Sequence, residues 1–325
     1  MKPYNERSQV LSSAEAKRRF PDVSIDAWRR LSDVFPVRVT RSWADRVQDV
    51  SGPLGLQAFP AASELEVDPG DVPDPVGEEG KMPVPWVVRK HEDRALLLVT
   101  RRCHLHCRYC FRRDLDGDPA PTQEALDSAI AYLKAATVRE VILSGGDPLT
   151  LHNDRLTYIL DELRPTIPLI RIHTRAPVTF PSRVDAALVD ILRSRGPIWV
   201  VIHCNHPQEL SEPVREAISK LVDAGIPVLN QAVLLRGVND DVDVLVALTD
   251  ALLELRVKPY YLHHPDAVPG GGAFRVSTEE GLALHDALRQ RVSGIGLPAY
   301  VIDPPDGTGK VSVAEWVANS VPSGD

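Results

Sequence analysis

Cysteine, methionine and aromatic residues are scarce in this chain: four Cys, two Met and 6% Phe, Trp and Tyr in 325 residues. Four cysteines do not make a disulfide scaffold. Three of them, Cys103, Cys107 and Cys110, crowd one short stretch while Cys204 stands alone, and clustered thiols point to a metal or cluster site. Basic charge is also short, 37 Lys and Arg against 45 Asp and Glu for a net charge of −8. That balance argues against nucleic-acid and membrane-surface partners, which need a basic face. No apolar run is long enough to span a bilayer, and MKPYNERSQV lacks the apolar region of an export signal, so a soluble, cytoplasmic protein is expected.

What is present is enough apolar residue, 43%, to bury a sizeable core. Residues 1–50 read as helical and polar: Ser12-Ser13 can cap a helix at AEAKRRF, and SIDAWRRLSDVF opens on a Ser cap with apolar residues at helical spacing. Residues 51–85, rich in Pro, Gly, Asp and Glu, read as an extended, irregular connection. The chain is thus divided into a region 1–85 and a region 86–325.

From residue 95 short apolar runs alternate with helical stretches. The runs are ALLLVT (95–100), EVILSGG (140–146), LIRIHTR (169–175), IWVVIHC (198–204), PVLNQAVLL (227–235), KPYYLH (258–263) and PAYVID (298–303). Between them lie segments of helical spacing such as TQEALDSAIAYLKAA (122–136) and NDRLTYILDEL (153–163). Near-continuous apolar strands separated by helices imply buried parallel strands, and right-handed crossovers curl such units into a partial or full parallel (β/α) barrel. The predicted class is α/β, with an N-terminal helical extension and the chemistry at the C-terminal strand ends.

The cysteine triplet directly follows the first barrel strand, as Cys103-His-Leu-His-Cys107-Arg-Tyr-Cys110. Three thiolates on one loop can ligate three irons of a [4Fe–4S] cubane and leave the fourth iron open for a chelating ligand. A zinc site of three Cys with His104 or His106 is the competing reading.

The CxxxCxxC pattern, with Tyr109 before its last cysteine, resembles the radical S-adenosylmethionine superfamily. In that superfamily S-adenosylmethionine chelates the open iron, and its reductive cleavage yields a 5′-deoxyadenosyl radical. The resemblance places this cofactor beside Ser144, Gly145, Gly146 and Asp147 of SGGDPL, where glycines would let backbone approach the methionine amino group.

From about residue 83 to 312 the chain resembles the lysine 2,3-aminomutase family, including its shorter type associated with elongation factor P. The stretches that carry this are DRALLLVT, CRYCFRR, LSGGDPL, RIHTRAPV, NHPQE, NQAVLLRGVND, PYYL and DGTGK. The resemblance implies pyridoxal 5′-phosphate on Lys310, after the glycines of DGTGK, with Arg94 on the phosphate. It implies Gln231 near S-adenosylmethionine, and His203, Asn205 and His206 lining the cofactor pocket. Arg112 would pair with the substrate carboxylate, and Asp266 and Asp303 with the distal cation of a basic amino acid.

Lys90 and His91 stand where the family pattern has Arg and Tyr, and His263 where an aromatic is expected. The cysteine-bearing tail of the larger clostridial-type enzymes has no counterpart, so their zinc site is not expected here. The implied activity is transfer of the α-amino group of a basic L-amino acid to its β-carbon, with lysine the first choice and arginine open. The rival is a metal- or cluster-bearing binding module without turnover. Expected partners are the small amino-acid substrate, a reductase or flavodoxin-type electron donor and further copies of the chain.

Overall fold

The structure is a computed structural model that describes residues 10–113 and 119–320. MKPYNERSQV, read above as lacking an export signal, lies outside the described residues except for Val10. No described helix is long and apolar enough to cross a membrane.

Short helices open the chain: α1 (Ser13–Arg19), α2 (Ile25–Arg30), α3 (Arg41–Ala44) and α4 (Pro53–Leu56). The Ser caps form as expected. Ser12 and Glu15 make a reciprocal capping box, and Ser24 Oγ accepts from the Ala27 amide at 3.1 Å. The second helix stops at Arg30, short of the expected Phe35. The carbonyls of Phe35 and Pro36 instead accept from the Arg108 guanidinium, at 3.1 and 3.3 Å.

Among the described residues nine strands follow: β1 (Val87–Val88), β2 (Arg94–Thr100), β3 (Glu140–Gly145), β4 (Leu169–Thr174), β5 (Ile198–His203), β6 (Val228–Val233), β7 (Lys258–His263), β8 (Ala299–Ile302) and β9 (Val311–Ser312). They lie side by side in chain order, with β2 to β8 parallel and the two edge strands antiparallel. The remaining helices are α5 (Gln123–Ala135), α6 (Asn153–Leu163), α7 (Ala176–Thr179), α8 (Ala186–Ser194), α9 (Glu212–Asp223), α10 (Val242–Glu254), α11 (Thr278–Arg289) and α12 (Val313–Ser320).

Alternation along each strand sorts the two faces of the sheet. Ala95, Leu97 and Val99 of β2 join Leu126, Ala129, Ile130 and Leu133 of α5 in the main core. The intervening residues are half-buried, as are Arg171 and His173 on β4. The sheet curls about that second face: Arg171 on β4 reaches the Tyr260 hydroxyl on β7 at 3.5 Å, three strands away. The result is a partial barrel, since β1 and β9 do not pair.

Two features bear on the site. Val39, Trp43, Leu54 and Phe59 from the N-terminal region share one continuous core with the barrel helices. The segment 51–85 is not a wholly irregular connection: it carries α4 and 3₁₀ turns at Ala62–Leu65 and Glu79–Lys81, and from residue 66 to 81 it forms a strap against the barrel loops. Its Val72 amide donates to Ala267 O at 2.9 Å, and Glu66 O accepts from the Gly270 amide at 3.2 Å. Gly77, at φ 64°, packs so tightly on Pro305 and Gly307 that a Cβ would stand 2.5 Å from a backbone oxygen. An Ala there would push the strap off the Lys310 loop.

Candidate active site

The cysteine loop leaves the C-terminal end of β2 and is clamped by the N-terminal region. Its His106 and Arg108 amides donate to Arg38 O and Gln57 O, both at 3.0 Å. The buried Arg108 side chain also binds Glu64 at 2.7 Å, and Arg113 takes the same carboxylate oxygen at 2.5 Å. Two cations on one desolvated acid lock the segment 62–65 onto the loop.

All three thiols are free and half-buried. Burial, reinforced by neighbouring charges, pushes Cys103 well up and Cys110 to about 11. Such thiols give up their protons to a metal rather than to water. Both candidate fourth ligands for zinc pack their rings on aromatic side chains. His104 stacks on Phe180 with ring centres 5.0 Å apart, and His106 stacks on Phe35 and donates Nδ1–H to Pro36 O at 2.7 Å. Among the described residues no three His, Cys, Asp or Glu side chains converge as a single-ion site. Three thiols on one loop with no fourth ligand fit three corners of a cubane. Cys204 is fully buried in the core, its Sγ 3.6 Å from His206 O.

Packing in the SGGD turn requires glycine at both positions: a Cβ on Gly145 would lie 2.2 Å from Thr100 O, and one on Gly146 2.3 Å from Arg102 O. Gly145 also has φ 116°, which favours glycine. Asp147 is committed to the fold, accepting from Leu149 N at 3.0 Å, Thr174 Oγ1 at 2.6 Å and Arg175 N at 2.8 Å. It therefore ties the end of β3 to the end of β4. Ser144 Oγ lies 3.3 Å from Arg112 Nη1.

Beside this turn the lumen gathers charged groups from distant parts of the chain. Arg112 meets Glu78 of the strap fork to fork, Nε to Oε2 at 2.9 Å and Nη2 to Oε1 at 2.5 Å. Lys310 Nζ lies 3.0 Å from Asp303 Oδ2, and Lys90 Nζ lies 2.9 Å from Asp303 Oδ1. Asp303, expected to await a substrate cation, is thus already matched by two lysines. Asp266 makes no ion pair among the described residues. Burial, then the charge of Asp303, raises its carboxyl to about 7. His263 is held neutral, down to about 3, by burial and then by Lys310. His173 Nε2 is buried with no hydrogen-bond partner, near the charges of Lys310 and Arg112. Arg94, at the first residue of β2, is half exposed and 3.1 Å from Asp93.

These groups fit pyridoxal phosphate. A reachable lysine follows Gly307 and Gly309, the cations Lys90 and Arg94 are at hand for a phosphate, and the His173 ring, with an orphaned buried nitrogen, lies within the electrostatic reach of Lys310.

Gln231 on β6 lies in register with His203 and Tyr261, half-buried. His203 Nε2 lies 3.1 Å from both Tyr109 Oη and Asn205 Oδ1. Asn205 donates on to Gln57 at 2.9 Å, and His206 Nδ1 accepts from the Gln208 amide at 3.1 Å, so these two support the loop after β5. Sequence reasoning missed Glu78, Gln57, Arg175 and Glu209. Arg175 and Glu209 lie in stretches with a motif signal, RIHTRAPV and NHPQE, which do not say what their side chains touch.

The Radical SAM superfamily profile matches residues 97–248. An Aquifex aeolicus protein provisionally named L-lysine 2,3-aminomutase is 40% identical over 293 residues, covering 87% of this chain and 79% of its own. The L-lysine 2,3-aminomutase of Bacillus subtilis is 41% identical over 266 residues, 80% of this chain and 56% of its own. The glutamate 2,3-aminomutase of Clostridioides difficile is 37% identical over 268 residues, 81% of this chain and 63% of its own. This chain therefore spans under two thirds of the length of the latter two. With three free thiols on the loop after the first parallel strand, and similarity at this level over most of its length, this chain is a radical S-adenosylmethionine enzyme of the lysine 2,3-aminomutase family.

Proposed function

We propose that this enzyme is a pyridoxal phosphate-dependent 2,3-aminomutase that moves the α-amino group of a basic L-amino acid, lysine first, to the β-carbon. The observation that carries the substrate class is Asp266, a half-buried carboxyl with no ion-pair partner among the described residues, whose ionised form is disfavoured until a cation arrives. A cationic side chain supplies that charge; the side-chain carboxylate of glutamate would add repulsion.

Cys103, Cys107 and Cys110 would hold the cluster, and Lys310 the pyridoxal phosphate, with Arg94 and Lys90 as the cations offered to its phosphate. When bound, these cofactors supply a hydrogen-abstracting radical and delocalisation of the unpaired electron. The chain's own work is positional. Arg112 takes the substrate carboxylate in exchange for Glu78, a bidentate match for which arginine is suited. Asp266 anchors the far end, so the β-carbon is presented in one orientation. His173 and His263, both neutral, flank Lys310 without competing for the carboxylates. An electron donor of the reductase or flavodoxin type reduces the cluster.

The test is an anaerobic assay of the reconstituted protein on lysine, arginine, glutamate and alanine, with β-amino products resolved by mass spectrometry. β-Lysine is the expected product. β-Arginine alone would move the assignment to the larger cation, and β-glutamate alone would overturn the role of Asp266.

A further inference from the structure

Arg175 is the residue after β4, and its side chain is only 7% exposed. Its Nη1 donates to Cys107 Sγ at 2.8 Å, while Nη2 donates to Gln57 Oε1 at 2.6 Å and to Glu209 Oε2 at 3.0 Å. The guanidinium carbon lies 4.8 Å from the Trp43 ring centre and 5.6 Å from that of Tyr109. Its backbone amide is fixed by Asp147, so the acid of the SGGD turn sets where this side chain begins. A buried cation persists only where anions and acceptors compensate it. Here the compensation is divided between Glu209 and one sulfur of the cysteine loop. The other sulfurs differ: Cys110 Sγ, for one, faces the Arg112 carbonyl at 3.6 Å.

We propose that Arg175 is a positioning residue that acts through Cys107 to set the reduction potential of the [4Fe–4S] cluster. Reduction adds negative charge to the cluster, and a hydrogen bond and a positive charge at a ligand sulfur stabilise that state. Glu209 tempers the effect by drawing on the same guanidinium. A residue that only filled space or satisfied Glu209 would leave the potential unmoved. The inference rests on the cluster assignment above, and its test separates the two.

Wild-type protein, R175K, E209Q and the double variant R175Q/E209Q are reconstituted anaerobically. Each is titrated against potential while the reduced cluster is followed by EPR. The double variant removes cation and anion together, so no orphaned charge is left to unfold it. Its midpoint is expected to fall, lowering the ratio of reduced to oxidised cluster at fixed potential at least tenfold, which for one electron is about 59 mV. R175K, whose single ammonium cannot serve Cys107, Gln57 and Glu209 together, should fall by less. E209Q, leaving Arg175 without its counter-charge, should shift the midpoint the opposite way. That variant decides the matter if the double variant does not fold. Midpoints equal to wild type, or shifts of opposite sign, overturn the proposal. A wild-type protein that takes up no cluster withdraws the cluster assignment itself, and the inference with it.

Discussion

Arg112 and Glu78 meet as two parallel forks, with Nε–Oε2 at 2.9 Å and Nη2–Oε1 at 2.5 Å. A carboxylate of the chain's own strap thus occupies the guanidinium proposed for the substrate carboxylate. Bidentate pairs of this kind are geometrically specific, so a ligand must match the same fork to displace it. E78Q is expected to lower the KM for the amino acid several-fold, because a neutral amide competes less well, with iron content unchanged. R112K should cost about 2–5 kcal/mol in kcat/KM. A KM in E78Q equal to or above that of wild type would show that the strap contact does not compete with substrate.

Asp266 should give the reaction a pH dependence of defined sign. Its carboxyl, raised to about 7 by burial and then by Asp303, must ionise to receive a cation. Substrate affinity should therefore improve as pH rises towards 7, by about tenfold per unit at most, and then level off. The folded apoprotein should show the opposite trend in stability. Between the ordinary value of 3.8 and about 7 the unfolded chain releases this proton first, so stability falls as pH rises through that window. In D266N both effects should vanish, with turnover of lysine largely lost. Thermal melts and KM measured across pH 5 to 8 check this, and a D266N profile that matches wild type would remove Asp266 from the site.

Lys310, 3.0 Å from Asp303 Oδ2, is the proposed attachment point of the coenzyme. K310A should lose the visible absorbance of lysine-bound pyridoxal phosphate and all turnover, yet keep its iron and sulfide. Retained absorbance would place the coenzyme on another lysine. In D303N, by contrast, Lys90 and Lys310 face each other without their shared carboxylate, so weaker coenzyme retention is expected alongside loss of turnover.

Replacing Cys103, Cys107 or Cys110 with Ala should abolish the cluster, because each thiolate holds one iron. Cys204, buried among apolar side chains, should be dispensable, and C204S should retain full iron content at a modest cost in stability. Iron and sulfide analysis of the four variants decides the ligand set. Loss of the cluster in C204S with retention in C107A would reverse it.

Those parts of the molecule whose physics is local can be read from the order of its residues. Apolar runs such as 95–100 and 258–263 became strands whose alternate residues enter the core while the rest are half-buried around the lumen, and Ser12 and Ser24 became caps because their hydroxyls satisfy amides three residues away. The three thiols were legible because one loop carries them all. The intraprotein contacts of several motif residues were not. Gly145, Gly146 and Asp147 serve backbone packing and strand-end anchoring, which depends on how β2, β3 and β4 lie together. Tertiary structure alone decided that Glu78 meets Arg112, that Arg175 meets Cys107, and that Lys90 meets Asp303, across separations of 34, 68 and 213 residues. No spacing rule reaches so far. The charge of each group is written in its side chain, but its partner is chosen by the curl of the sheet and the path of the strap.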